Sequence, residues 1–204
     1  MDTPRPSSGN EDLLYSKGDM EAAIVQHDIT VEEFDLMVES GAFAEQHVEL
    51  IDGRLIDMPP QGPPHDGTLT AFLTLFQRGF GRRVLVRIQM CLPVARTSEP
   101  VPDLALVRWE DGFYRDRHPR AEETFAVVEV SFSSLTFDRN VKRRLYGAAR
   151  IPEYWIVDVT QHRIVVNREP NDLGYASEEI RERGDSVSFE AFPDVVFSVT
   201  ELVG

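Results

Sequence analysis

An α/β domain with a mixed β-sheet flanked by helices is predicted by three features of this chain. Segments with helical spacing stand near its start, strand-like runs crowd its centre, and one further helical segment is interposed among them. No internal repeat is visible. At 204 residues the chain suits one domain, read as 21–204, preceded by a flexible acidic arm over 1–20 that is rich in Pro, Ser, Gly and acidic groups.

The elements follow in order. Thr30 opens a helix, with Glu33 three residues on in capping-box position and Gly41 closing it. VELIDGRLIDM (48–58) carries Asp52-Gly53, a two-residue hairpin signal between apolar stretches. PPQGPP (59–64) is a break, beyond which residues 69, 72, 73, 76 and 80 are apolar at near-helical spacing, ending at Gly81. RVLVRIQM (83–90), DLALVR (103–108) and TFAVVEVS (124–131) read as strands. FDRNVKRRLYGAA (137–149) reads as a helix, with Val141 and Leu145 on one side. EYWIVDV (153–159) and RIVVNRE (163–169) are strands joined by a short turn. Alternating pieces at 180–192 and 195–202 close the chain.

Composition narrows the function classes. With 42% hydrophobic residues the chain can bury a sizeable core without disulfides. Its single cysteine, Cys91, excludes an internal disulfide and a Cys-rich zinc site, as suits a reducing cytosol. No charged leader with an apolar core begins the sequence, and no apolar run approaches the roughly 18 residues of a membrane span. A soluble, cytoplasmic protein with no membrane partner is expected. The net charge of −14 argues against a generic nucleic-acid binder. Residues 1–50, however, hold 12 acidic and 2 basic side chains, against 23 and 19 in the remaining 154, so most of the excess lies away from the segments with chemical promise.

Three pieces of the sequence carry that promise. Asp103 follows Pro102 at the head of an apolar strand, where proline is tolerated and the carboxylate can project rigidly from the sheet end; a turn aspartate is the plainer reading. Glu129 lies inside the apolar run AVVEVS. Buried, it needs a metal or a fixed cation; on a half-exposed sheet, it faces solvent or an ion pair. Asp138 and Lys142 stand four apart on the next helix, spaced for an i,i+4 ion pair, or else Lys142 leans over the strand end of Glu129. Two carboxylates with a lysine behind them satisfy phosphodiester hydrolysis, in which Mg²⁺ takes oxygen ligands and a lysine steadies charge. Two groups of basic residues, at 139, 142, 143, 144 and 150 and at 78, 82, 83 and 87, either contact phosphate backbone or solvate their faces.

The order VELIDGRLI, PPQGPPH, VPDLALV and VVEVSFSSLTFDRNVKRRLYGAARIPEYWIVD resembles a large bacterial family of restriction-endonuclease-like proteins. This is the Uma-two family, a former domain of unknown function in the PD-(D/E)XK nuclease superfamily. The match runs from about residue 28 to the C-terminus. The resemblance implies a restriction endonuclease-like core and a Mg²⁺- or Mn²⁺-dependent endonuclease acting on nucleic acid, DNA foremost, as a homodimer. It implies Asp103, Glu129 and the Val130 carbonyl as metal ligands, and Lys142 as the migrated catalytic lysine, since Ser131 stands where the superfamily's usual lysine does. Tyr146 would line the site or support Lys142. Glu49 would complete the acidic cluster or be a strand-end charge, and His65 would approach a phosphate or simply begin a helix. Phe132 stands where relatives often carry a polar residue. The alternative is a non-catalytic module that binds nucleic acid or protein on a degenerate nuclease fold.

Overall fold

The computed structural model describes residues 26–204, so the arm expected over 1–20 lies outside them. Helix α1 (Val31–Glu39) begins as its sequence dictates. The Thr30 hydroxyl accepts from the Glu33 N–H at 3.3 Å, and the Glu33 carboxylate accepts from the Thr30 N–H at 2.9 Å. Strands β1 (Val48–Ile51) and β2 (Arg54–Asp57) form the expected hairpin, with Asp52 and Gly53 at φ 48° and 74°. Both positive values are what a two-residue turn of this type demands. Helix α2 (Pro63–Phe80) starts six residues before the apolar spacing does, because a proline in the first turn loses no intrahelical hydrogen bond.

The main sheet follows. Strands β3 (Val84–Ile88), β4 (Leu104–Arg108) and β5 (Thr124–Ser131) pair antiparallel. A crossover then runs through α3 (Leu135–Phe137), a π-helical turn at Asp138–Lys142, and α4 (Arg143–Ala148). It returns β6 (Glu153–Asp158) parallel to β5, and β7 (Arg163–Asn171) and β8 (Gly174–Arg181) add antiparallel. The result is a six-stranded mixed sheet in the order β3-β4-β5-β6-β7-β8. The tail holds only two-residue strands, β9 (Ser186–Val187) and β10 (Phe197–Ser198), before α5 (Val199–Val203). Alternation over 195–202 suggested a strand, yet Val199, Leu202 and Val203 share helical spacing and all are buried. Among the described residues no helix is long and apolar enough to cross a membrane.

Period two decides what each strand offers to each side. Leu104, Leu106, Ala126, Val128, Val130, Trp155 and Val157 face α2 and α5, where Phe72, Phe76, Phe80 and Phe189 pack on them. Ala105, Val107, Val127, Tyr154 and Ile156 face the opposite way, onto Tyr146 of α4. Asp103 and Glu129 have the parity of this second set. Both carboxylates are therefore delivered to the face carrying the crossover helix.

Glu153 organises the sheet's far side, on the face opposite Asp103 and Glu129. Buried, it accepts from Trp155 Nε1 at 2.7 Å, Arg168 Nη2 at 2.8 Å and the Glu190 N–H at 2.7 Å. Glu153→Ala strips three donors of one acceptor and should lower the unfolding free energy by about 3 kcal/mol, read as a urea midpoint shift at constant slope.

Candidate active site

Asp103 immediately precedes β4, and Leu104 pairs with Val128, so the next residues outward are Asp103 and Glu129. The Asp103 N–H donates to Glu129 Oε2 at 3.3 Å, and the Val130 N–H donates to Asp103 Oδ2 at 2.8 Å. Asp103 Oδ1 meets His65 Nε2 at 3.1 Å, Gln89 Nε2 at 3.2 Å and Gln61 Nε2 at 3.4 Å. Glu129 Oε1 accepts from Lys142 Nζ at 2.9 Å and from the Tyr146 hydroxyl at 2.8 Å. Lys142 Nζ also donates to Glu49 Oε1 at 3.1 Å. Glu49, His65, Asp103, Glu129, Lys142 and Tyr146 are buried, whereas Gln61 and Gln89 are exposed. Glu49, His65, Asp103, Glu129, Val130 and Lys142 line one cavity of about 380 Å³, with Gln61, Gln89 and Asp138.

The structure thus gathers the residues singled out by sequence, and it sharpens several of them. Glu129 is buried, which removes the solvent-facing reading. His65 sits in the first turn of α2 and engages Asp103, so it is more than a helix-start residue. Tyr146 is not among the lining residues and holds Glu129 from behind. The i,i+4 ion pair between Asp138 and Lys142 does not form. Their segment is a π-turn, whose wider winding takes Lys142 off the face it would share with Asp138 in an α-helix. Asp138 instead accepts from the Ser131 and Ser134 hydroxyls, each at 2.6 Å, and Lys142 turns to the two glutamates. Ser131, in the place of the superfamily's lysine, therefore orients an acidic neighbour of the site. Phe132, half-exposed, forms part of the cavity lining.

The basic groups fare differently. Arg139 pairs with Glu178, Arg144 with Asp52, Arg150 with Asp172, Arg83 with Asp194 and Arg82 with Asp111. Arg143 reaches Asn167 and the Tyr175 carbonyl, and Lys142 is buried. Most of the basic residues at the crossover and around β3 are therefore paired with acids, while Arg78 and Arg82 remain exposed.

Electrostatics sort the carboxylates. Burial raises the pKa of Glu129 well above its ordinary value; Lys142 opposes the rise, while Asp103, Asp138 and Glu49 reinforce it. Burial likewise raises Glu49 against Lys142, and Asp138 against Lys142 and its two serines. At Asp103 burial also disfavours the anion, but His65, the Val130 N–H and Gln89 outweigh it and hold the carboxyl below its usual range. Four carboxylates around one lysine leave an excess of negative charge that a divalent cation would relieve.

The donor set suits such a cation. Each ionised carboxylate oxygen has two lone pairs, and Asp103 Oδ2 and Glu129 Oε2 each receive a single donor. The Val130 N–H points at Asp103, beyond the end of β4, and in an extended strand the carbonyl of the same residue points the same way. Glu49 Oε2 is buried with no partner among the described residues. These are hard oxygen ligands, fit for Mg²⁺ or Mn²⁺. No three carboxylates here bring oxygens within 4.8 Å of one another, so two side chains, one carbonyl and water would make up the shell.

Gln61, Gln89 and Asp138 escaped the sequence reading as site residues. Gln61 left a trace there as the single polar side chain within PPQGPP, and Asp138 was singled out only as a partner for Lys142.

Among solved structures, the chain resembles one described as a putative nuclease belonging to DUF820 from Anabaena variabilis ATCC 29413. The TM-score is 0.70 at 16% identity, over 86% of this chain and 97% of that one, which establishes a shared fold. No curated protein matches. The family model Uma2, described as "Putative restriction endonuclease", matches residues 31–200. With that match spanning most of its length, and with the sheet and carboxylate geometry described above, the chain belongs to the Uma2 family.

Proposed function

We propose that this protein hydrolyses phosphodiester bonds in nucleic acid, DNA foremost, with a divalent cation held by Asp103, Glu129 and the Val130 carbonyl. The observation that carries the reading is the meeting of Asp103, Glu129 and Lys142 on one cavity, from a strand start, a strand interior and a crossover helix. Such a cation, when bound, supplies an acidified water and neutralises charge on the phosphate. Lys142 does a separate task. Its ammonium has three N–H groups, of which Glu129 and Glu49 take two, leaving one for a water or a phosphate oxygen. Burial would lower its pKa, yet the two glutamates raise it above the ordinary value, so it stays charged. It therefore orients and stabilises, and does not act as a base. Tyr146 and the Asp103 N–H fix Glu129, while His65, Gln61 and Gln89 fix Asp103.

The test is cleavage of supercoiled and linear DNA, and of RNA, by wild type, Asp103→Asn and Glu129→Gln, with Mg²⁺ or Mn²⁺ and with chelator. Each variant should lose at least about 10³-fold in rate with unchanged circular dichroism. Calorimetric Mn²⁺ binding should vanish with Asp103→Asn. Full cleavage by both variants would remove the assignment. A wild-type chain that binds no metal and cleaves nothing would instead favour a binding module, in which Lys142 permanently neutralises Glu129.

A further inference from the structure

Cys91, Glu99 and His118 form a second cluster outside the catalytic cavity. Cys91 lies beyond the end of β3, Glu99 pairs with Leu50 of β1 through hydrogen bonds of 2.7 and 3.4 Å, and His118 sits in the excursion between β4 and β5. Their ligand atoms all lie within 4.8 Å of one another, with His118 Nε2 3.9 Å from Glu99 Oε1. The decisive feature is Glu99. It is 1% exposed, and neither carboxylate oxygen has a hydrogen-bond partner of good geometry among the described residues, while burial and the Asp35 carboxylate push its pKa up to about 7. A buried carboxyl so placed is relieved by whatever replaces its water, and a bound cation does so most directly. None of the three residues lines the catalytic cavity.

We propose that Cys91, Glu99 and His118 bind a thiophilic divalent cation, zinc foremost, which pins the 109–120 excursion to the β3 exit and the β1 hairpin. Sulfur, nitrogen and oxygen in one shell are the ligand types of zinc and are poorly suited to magnesium. Metal–ligand lengths of about 2.0–2.3 Å imply ligand separations of about 3.5 Å in a tetrahedron, so the cluster contracts by roughly 1 Å at most. His118 is half-exposed on a long connection and can supply that movement. On binding, Cys91 releases its thiol proton and Glu99 the proton its raised carboxyl holds near neutrality, both to solvent. The ring proton of His118 resides on Nδ1, which dissolves the 3.5 Å contact with Arg87. The fourth position is left to water. Thiolate and carboxylate together neutralise the dication, and Asp35 on α1 adds negative charge that acts on all three ligands.

The experiment is a Co²⁺ titration of the metal-stripped full chain in excess Mg²⁺, followed by absorption. One equivalent should produce a sulfur-to-cobalt charge-transfer band that Zn²⁺ abolishes by displacement. Cys91→Ser should eliminate the band, and His118→Ala and Glu99→Gln should each weaken binding at least tenfold, with circular dichroism retained. Asp103→Asn should leave the band intact, which separates this site from the catalytic one. Absence of the band in wild type, or its persistence at unchanged affinity in both His118→Ala and Glu99→Gln, overturns the proposal.

Discussion

Lys142→Met should weaken the protein in a strongly pH-dependent way and reduce any cleavage activity about 10²–10³-fold. The side chain is 1% exposed, and its ammonium lies between Glu129 and Glu49 at 2.9 and 3.1 Å. Its folded pKa is raised above 10.5, so its stabilisation is complete below that value and fades only as pH climbs through the folded one. It thus operates over the whole physiological range. Glu129 has the same sign in a lower window: its folded pKa is raised above 4.5, so the protonated carboxyl favours the fold below 4.5 and that contribution is lost as pH rises through the folded value. Lys142 at present limits that loss. Methionine fills a similar volume without the charge, so Glu129 and Glu49 must stay protonated or remain buried as uncompensated anions. The expected loss is about 3–5 kcal/mol near pH 8, shrinking toward pH 4.5. Urea midpoints of wild type and variant at both pH values check this. A loss independent of pH would mean that packing, and not charge, is what Lys142 contributes.

How much of this was legible beforehand depends on the range of the interaction. The Thr30–Glu33 box and the Asp52-Gly53 turn are settled within four residues, and both form as their sequences require. The carboxylates at 103 and 129 were recognisable by residue type, yet which side of the sheet they face needed the pairing of Leu104 with Val128. Of the two readings of Asp138 and Lys142, the ion pair fails because spacing of four has that meaning only in an α-helix and the π-turn changes the angle, whereas the lysine reaches Glu129 as the other reading has it. Gln61 and Gln89 reach Asp103 across 42 and 14 residues, a pairing that no local spacing announces. The arginines carry the same lesson. Arg144 finds Asp52 across 92 residues and Arg83 finds Asp194 across 111, so much of a crowd of basic letters is drawn into ion pairs that no local spacing marks.

Gly147→Ala should cost about 3 kcal/mol or more and disturb the active site from a distance. Gly147 lies on α4 directly after Tyr146, where the helix meets Gly174 at the head of β8. A β-carbon at 147 would stand 1.9 Å from the Gly174 carbonyl oxygen and 2.4 Å from its carbon. Both are backbone atoms in a strand, so no rotamer change relieves the clash and the helix itself must move. Gly174 is held in turn: its φ of 126° suits only glycine, and its own β-position is 2.7 Å from Arg143 Nη1. Displacing α4 pulls on the Tyr146 hydroxyl bonded to Glu129 and, through the π-turn, on Lys142. Gly79→Ala is the matched comparison, since its new carbon would meet the Val195 and Phe197 side chains at 2.7 and 3.1 Å, far from the carboxylates. The first variant should lose activity beyond what its folded fraction explains, whereas the second should lose stability alone. Rates normalised to the folded fraction from urea melts separate the two, and equal normalised rates would show that α4 does not transmit its position to Glu129.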